Sequence, residues 1–217
     1  MSIKKLIVKK NILSANSEKA NQIRQILDQH NVLMINIMSS PGSGKTSLLM
    51  QTIGKFRDKF NIAVIEGDIA SSIDTDKISN QNIKAIQINT GGGCHLDANM
   101  IKNAIDRIDL KQTDLIFIEN VGNLVCTADF DLGAHKNTVI LSIPEGDDKP
   151  HKYPVIFSIA DVMLLNKIDV IPYFDFNITD FHELINGLNP SVEIFQASAK
   201  TGEGLENWFS WIEKLLT

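Results

Sequence analysis

Apolar residues along the chain follow two different periods. Near-continuous apolar runs of strand length cover 32–38, 62–68, 85–89, 114–119, 138–143, 161–165 and 193–196. Runs without polar alternation fit strands buried on both faces, as in a parallel sheet. Between them the spacing turns helical. Residues 9 to about 30 are polar overall, with Ile12, Leu13, Ala20, Ile23, Ile26 and Leu27 recurring at helical intervals. Further helical segments are predicted from Ser47, behind Asp74 and Asp76 (a short one), from about His95 to Ile108, after His151 (short), over 179–188 and from Leu205. Strands alternating with helices predict an α/β fold. The expected form is a doubly wound, mostly parallel sheet flanked by helices, with an extra N-terminal helix over 1–30 and the main domain over 31–217. That first helix is expected to pack on the main domain; partner docking is the other use its amphipathic face allows.

The first strand runs into Ser39-Ser40-Pro41-Gly42-Ser43-Gly44-Lys45-Thr46, and helical spacing resumes at Ser47. Strand, glycine-rich turn and helix start is the context of a P-loop, which makes the chain a candidate P-loop NTPase. Gly42 and Gly44 let the backbone curl so that N–H groups, including those around Ser43 and Ser47, face phosphate oxygens. The helix start adds its positive dipole end. Lys45 can reach the outer phosphates, and the Thr46 hydroxyl can ligate Mg2+. Ser39 stands where the strict pattern has its first glycine.

Asn166-Lys167-Ile168-Asp169 follows a buried strand, in the position where such a string reads guanine. The Asp169 carboxylate can accept from guanine N1–H and from the exocyclic amine, while Asn166 and the Lys167 stem shape the pocket. Ser198-Ala199-Lys200 follows the next strand and agrees in order with a last base-contacting loop. GTP and GDP are therefore the expected ligands. Asp68 and Glu119 end strands where carboxylates can hold Mg2+ or order the attacking water; Asp74 is a weaker candidate that fits a helix cap equally well. Lys45, Asp68 and Glu119 are the expected catalytic set. Gly122 allows a loop to approach a γ-phosphate. Asn123, not glutamine, follows it, so intrinsic hydrolysis is expected to be slow.

Composition narrows the classes further. With 217 residues and a hydrophobic fraction of 43%, the chain can bury the core of one large domain. A net charge of −5 argues against a nucleic-acid partner. No apolar run is long enough to span a bilayer. Met1-Ser2-Ile3-Lys4-Lys5 has the look of a signal n-region, but Lys9, Lys10 and Asn11 interrupt any apolar stretch behind it. Cytoplasm is the expected compartment, where Cys94 and Cys126 would be thiols or metal ligands before they were a disulfide. Cys94 and His95 follow three glycines at an expected helix start, and Cys126 lies just past Gly122. Together they could form a Zn2+ or Ni2+ site with an open position. Two buried free thiols beside a capping histidine account for the same residues.

Several strings together resemble the HypB family, GTPases of nickel insertion into [NiFe]-hydrogenase. They are Ser40-Pro41-Gly42-Ser43-Gly44-Lys45-Thr46, Glu66-Gly67-Asp68, Cys94-His95-Leu96-Asp97-Ala98, Glu119-Asn120-Val121-Gly122-Asn123-Leu124-Val125-Cys126, Phe130-Asp131-Leu132-Gly133, Glu145-Gly146-Asp147-Asp148-Lys149 and Asn166-Lys167-Ile168-Asp169. The resemblance runs over nearly the whole chain. It implies a SIMIBI-class GTPase that forms a homodimer with nucleotide bound. It also implies a Zn2+ or Ni2+ site of Cys94, His95 and Cys126 near the dimer interface, a HypA-type nickel-binding partner, and a hydrogenase large-subunit precursor as recipient. The cysteine-rich or histidine-rich N-terminal stretch of some members is not in this sequence, so nickel storage is not expected of it. Thr127 stands where the family usually has proline after the loop cysteine, a change expected to loosen that loop. Two other readings fit many of the same residues: a GTPase serving another nickel enzyme such as urease, and a nucleotide-gated metal-binding adaptor with negligible turnover.

Overall fold

A computed structural model describes residues 8–68 and 83–217. The short helix expected behind Asp74 and Asp76 lies outside the described residues. The strands are β1 (Leu33–Ser39), β2 (Ile62–Asp68), β3 (Lys84–Asn89), β4 (Leu115–Glu119), β5 (Lys136–Ser142), β6 (Val162–Asn166) and β7 (Glu193–Gln196). They form one sheet in the order β3-β2-β4-β1-β5-β6-β7. Every pairing is parallel, so the sheet is more uniform than the mostly parallel one expected. β1 sits between β4 and β5, with Ile37 beside Glu119 on one side and Thr138 on the other. The chain leaves β1 toward β2 on one side and later fills β5 to β7 on the other. Ligands gather at the carboxyl ends of strands around such a reversal.

Side chains of successive strand residues point to opposite faces. Ile35, Ile37, Val64, Phe117 and Leu164 meet the buried face of α2 (Lys45–Phe56) and the C-terminal helix α8 (Leu205–Leu216). Trp208, fully buried, donates from its indole N–H to the Thr52 hydroxyl at 2.9 Å and stacks on Trp211. On the opposite face Met34, Ala63, Ile65, Ile116 and Ile118 pack against α1 (Val8–Gln29) and α3 (Ala98–Ile105). Farther along, β5 and β6 share a third cluster with α6 (Pro154–Ser158) and α7 (Ile178–Leu188).

The first helix packs on the domain through Ala20, Ile23 and Leu27, all 0% exposed, while Ile12 remains exposed. Polar contacts fix its axis. Arg24 forms a two-oxygen pair with Asp131, both distances 2.7 Å. His135 accepts the Met34 N–H on Nδ1, which leaves Nε2–H to face Asp28.

Three details differ from the sequence reading. α3 begins at Ala98, capped by Asp97, whose side chain accepts the Met100 N–H at 2.8 Å. Cys94 and His95 therefore precede the helix instead of opening it. The segment between β4 and β5 carries one helical turn, α4 (Cys126–Asp129). The short helix after His151 is two pieces, α5 (Lys149–Lys152) and α6. Pro154 lacks an N–H and pushes Tyr153 out of helical geometry, which splits them.

Candidate functional site

β1 ends in a loop whose carbonyls are held from outside. Lys167 Nζ donates to the Gly42 carbonyl at 2.7 Å, and Asn166 Nδ2 to the Ser43 carbonyl at 2.8 Å. With those carbonyls turned outward, the neighbouring N–H groups can face a concave centre. Gly44 has φ 101°, and a Cβ there would lie 2.4 Å from Asn166 Nδ2. Glycine is required at that position by both backbone and neighbour. Lys45 is buried, and its ammonium rests 3.0 Å from the Ser39 hydroxyl. The residue that departs from the motif thus supplies an oxygen to the motif lysine, which glycine could not.

The base-reading strings are joined to the same loop. Asn166, nearly fully buried, also accepts the Ala199 N–H at 3.0 Å, so one amide links the P-loop to Ser198-Ala199-Lys200. The Ser198 hydroxyl donates to Asp169 Oδ1 at 2.6 Å and orients that carboxylate. Lys167 reaches its position from a left-handed backbone, φ 62°. Lys200 is exposed at the rim, and Ser47 is exposed on the first turn of α2.

Where Mg2+ is expected, the Thr46 hydroxyl donates to Glu119 Oε1 at 2.7 Å, and Glu119 is only 5% exposed. A hydroxyl and a carboxylate side by side form a hard-oxygen donor pair, which suits that ion. Asp68 closes β2; its side chain is outside the described residues. Past Glu119 the loop crosses the P-loop closely, since a Cβ on Gly122 would lie 3.0 Å from Pro41 Cα. Buried amides pin its start: Asn120 Nδ2 donates to Asn36 Oδ1 at 3.2 Å, and Asn36 Nδ2 donates to Asn137 Oδ1 at 3.0 Å.

Cys94, His95 and Cys126 come together from two loops, with one ligand atom of each within 4.8 Å of the others. All are half-buried, and Cys94 Sγ lies 3.6 Å from His95 Nδ1. Two sulfurs and an imidazole nitrogen suit Zn2+ or Ni2+. The Cys94 thiol beside Cys126, with some burial, pushes the Cys126 thiol above its ordinary value. A metal arriving there must displace a proton. The His95 ring is stacked on Phe130, centroids 3.9 Å apart and planes 16° from parallel.

Residues 33–196 match the model of the CobW/HypB/UreG nucleotide-binding domain. The hydrogenase maturation factor HypB of Rhizobium leguminosarum bv. viciae is 48% identical over 98% of this chain and 72% of its own. The chain belongs to the HypB family. Among solved structures, HypB from Helicobacter pylori in complex with nickel superposes with TM-score 0.87 at 38% identity, covering 93% of this chain and 95% of that one. HypB from Archaeoglobus fulgidus gives TM-score 0.88 at 35% identity, covering 94% and 100%.

In this HypB-family chain several polar residues near the site carry contacts that motif reading missed. Asn16 on α1 donates to the Asp131 carbonyl at 2.7 Å and accepts the Ala98 N–H at 2.8 Å. It joins the Phe130 loop to the α3 start. Asn123 accepts from the N–H groups of Val125 and Cys126. Thr127, 1% exposed, donates its hydroxyl to the Asn123 carbonyl at 2.5 Å. The loop expected to loosen without proline is therefore tied by a hydrogen bond instead. Glu145 accepts from both Ser40 and Ser43 of the P-loop. Its sequence signal is Ser142-x-x-Glu145, a capping-box spacing that the structure realises.

Proposed function

We propose that this HypB-family chain is a cytoplasmic GTPase that helps load nickel into a hydrogenase precursor, with its metal site linked to nucleotide state. The observation that carries the reading is the short path from Gly122, packed against Pro41, through Asn123 to Cys126. One loop then senses the phosphate end of the nucleotide and holds a metal ligand.

In this reading residues 31–217 form the nucleotide-binding domain and residues 1–30 the added helix. Asp169 selects guanine, while Asn166, Lys167, Ser198, Ala199 and Lys200 build the base pocket. Gly42, Ser43, Gly44, Lys45 and Ser47 hold phosphates, and Gly122 meets the γ-phosphate. Thr46, Asp68 and Glu119 hold Mg2+, which when bound offsets phosphate charge. The reaction is phosphoryl transfer to water. Water oxygen bonds to the γ-phosphorus, the bond to the β–γ bridging oxygen breaks, and GDP and phosphate leave. Lys45 and the loop N–H groups stabilise the charge that develops. GTP favours a homodimer and hydrolysis releases it. Cys94, His95 and Cys126 carry the Ni2+ cargo or Zn2+, received from a HypA-type protein and passed to the large-subunit precursor.

Phosphate release from GTP and ATP, with and without nickel and a HypA-type partner, tests the enzyme reading. GTP-specific turnover supports it. Hydrolysis that stays negligible under every condition contradicts it and favours the adaptor.

A further inference from the structure

The strongest cluster outside the nucleotide and metal ligands surrounds Glu145, in the tight turn Ile143–Glu145 that follows β5. Its Oε1 accepts from the Ser40 hydroxyl. Its Oε2 accepts from the Ser43 hydroxyl at 2.7 Å, and from the Ser142 N–H and hydroxyl at 2.8 Å each. Every one of these donors comes from the P-loop or from the end of β5. We propose that Glu145 is a positioning residue for the nucleotide, acting through Ser40 and Ser43. The inference rests on the guanine-nucleotide reading above.

The argument is one of proton direction. The Ser43 hydroxyl has a single proton and two acceptors in reach, the Ser40 carbonyl at 3.0 Å and the Glu145 carboxylate at 2.7 Å. A charge-assisted bond is the stronger of the two, so that proton goes to Glu145. Ser43 is 0% exposed, its hydroxyl enclosed between the Ser40 carbonyl and Glu145. Glu145 therefore grips the loop by its side chains, while Asn166 and Lys167 grip it by the carbonyls of Ser43 and Gly42. Together these contacts hold both flanks of the turn that must aim its N–H groups at phosphate. Four donors, three serine hydroxyls and one backbone N–H, meet this carboxylate, one on Oε1 and three on Oε2. The same turn continues to Asp147, which accepts the Asn177 N–H at 2.8 Å and anchors the clamp to the start of α7.

Titration with fluorescent GDP and GTP analogues, paired with steady-state hydrolysis, tests the proposal. E145A is expected to weaken both nucleotides about tenfold and to raise KM more than it lowers kcat. E145Q should recover most of the affinity, because its amide oxygen keeps the Ser142 and Ser43 donors and the Ser40 hydroxyl can turn to accept the amide N–H. The double variant S40A/S43A, which leaves Glu145 in place, should match E145A, and the triple variant should be no weaker than either. If E145A fails to fold, S40A/S43A and E145Q carry the comparison. E145A or S40A/S43A binding as tightly as the parent would overturn the inference, as would an E145Q as weak as E145A. A parent that binds no guanine nucleotide would instead overturn the reading beneath it.

Discussion

The Asn123 side chain accepts the backbone N–H of Cys126 at 3.0 Å and that of Val125 at 2.7 Å. These contacts close a turn just ahead of α4, one residue after Gly122, so the bend that brings Cys126 to Cys94 and His95 is fixed by the loop that crosses the P-loop. Asn123→Ala removes both of these hydrogen bonds, which costs about 1 kcal/mol of local order. Nickel affinity should fall about fivefold and lose its dependence on nucleotide, while GDP affinity stays close to the parent. Paired nickel and GDP titrations check this; an unchanged nickel response would remove Asn123 from the link.

Phe130 lies face to face with His95 and so fixes the plane of the imidazole whose Nδ1 is 3.6 Å from Cys94 Sγ. Stacked rings contribute about 0.5–1.5 kcal/mol beyond their buried area. Phe130→Leu should weaken nickel binding by about three- to tenfold, Phe130→Tyr should retain it, and GTP binding should be indifferent to either. The d–d or charge-transfer absorption of bound Ni2+ provides the readout.

Thr127 ties its loop by a buried hydroxyl rather than by a proline ring. Thr127→Ala leaves the Asn123 carbonyl without that donor and should destabilise the protein by about 1 kcal/mol. Thr127→Pro should be tolerated, since the first turn of a helix accepts proline. Denaturant midpoints of the three proteins decide it, and a Thr127→Pro less stable than Thr127→Ala would contradict this account.

Asp169 is oriented by Ser198 so that its carboxylate presents two acceptors. Asn in its place offers one acceptor and one donor, which complements the N1–H and C2 carbonyl of xanthine. Asp169→Asn should lose guanine affinity by about 10²-fold and gain binding of xanthosine diphosphate. Competition between the two diphosphates measures the switch.

The strands were legible because a sheet covered on both faces needs near-continuous apolar runs, and each of 32–38, 114–119 and 161–165 has one. The P-loop and Asn166-Lys167-Ile168-Asp169 were legible because their glycines and polar residues sit at fixed offsets from those strands. What escaped the reading depends on partners distant in sequence. Asn16 looks like an ordinary polar residue on a polar helix, yet it is buried between Asp131 and Ala98. The Phe130–His95 stack joins segments that no local spacing relates. The helix α3 starts later than the three glycines before Cys94 suggest, because Asp97 is the residue whose side chain can cap it. The single turn Cys126–Asp129 has too few residues to show a period, and its side-chain support comes from Asn123 and Thr127.

Linkage requires that if nucleotide shifts metal affinity, metal shifts nucleotide affinity by the same factor. The most direct test is nickel titration of the protein loaded with GDP and with a non-hydrolysable GTP analogue, while oligomeric state is followed by light scattering. The account predicts nickel affinities that differ by at least about fivefold between the two states, a shift toward dimer with the analogue, and loss of the nickel signal in Cys126→Ala. Equal nickel affinity in both states, with nucleotide fully bound, would contradict it.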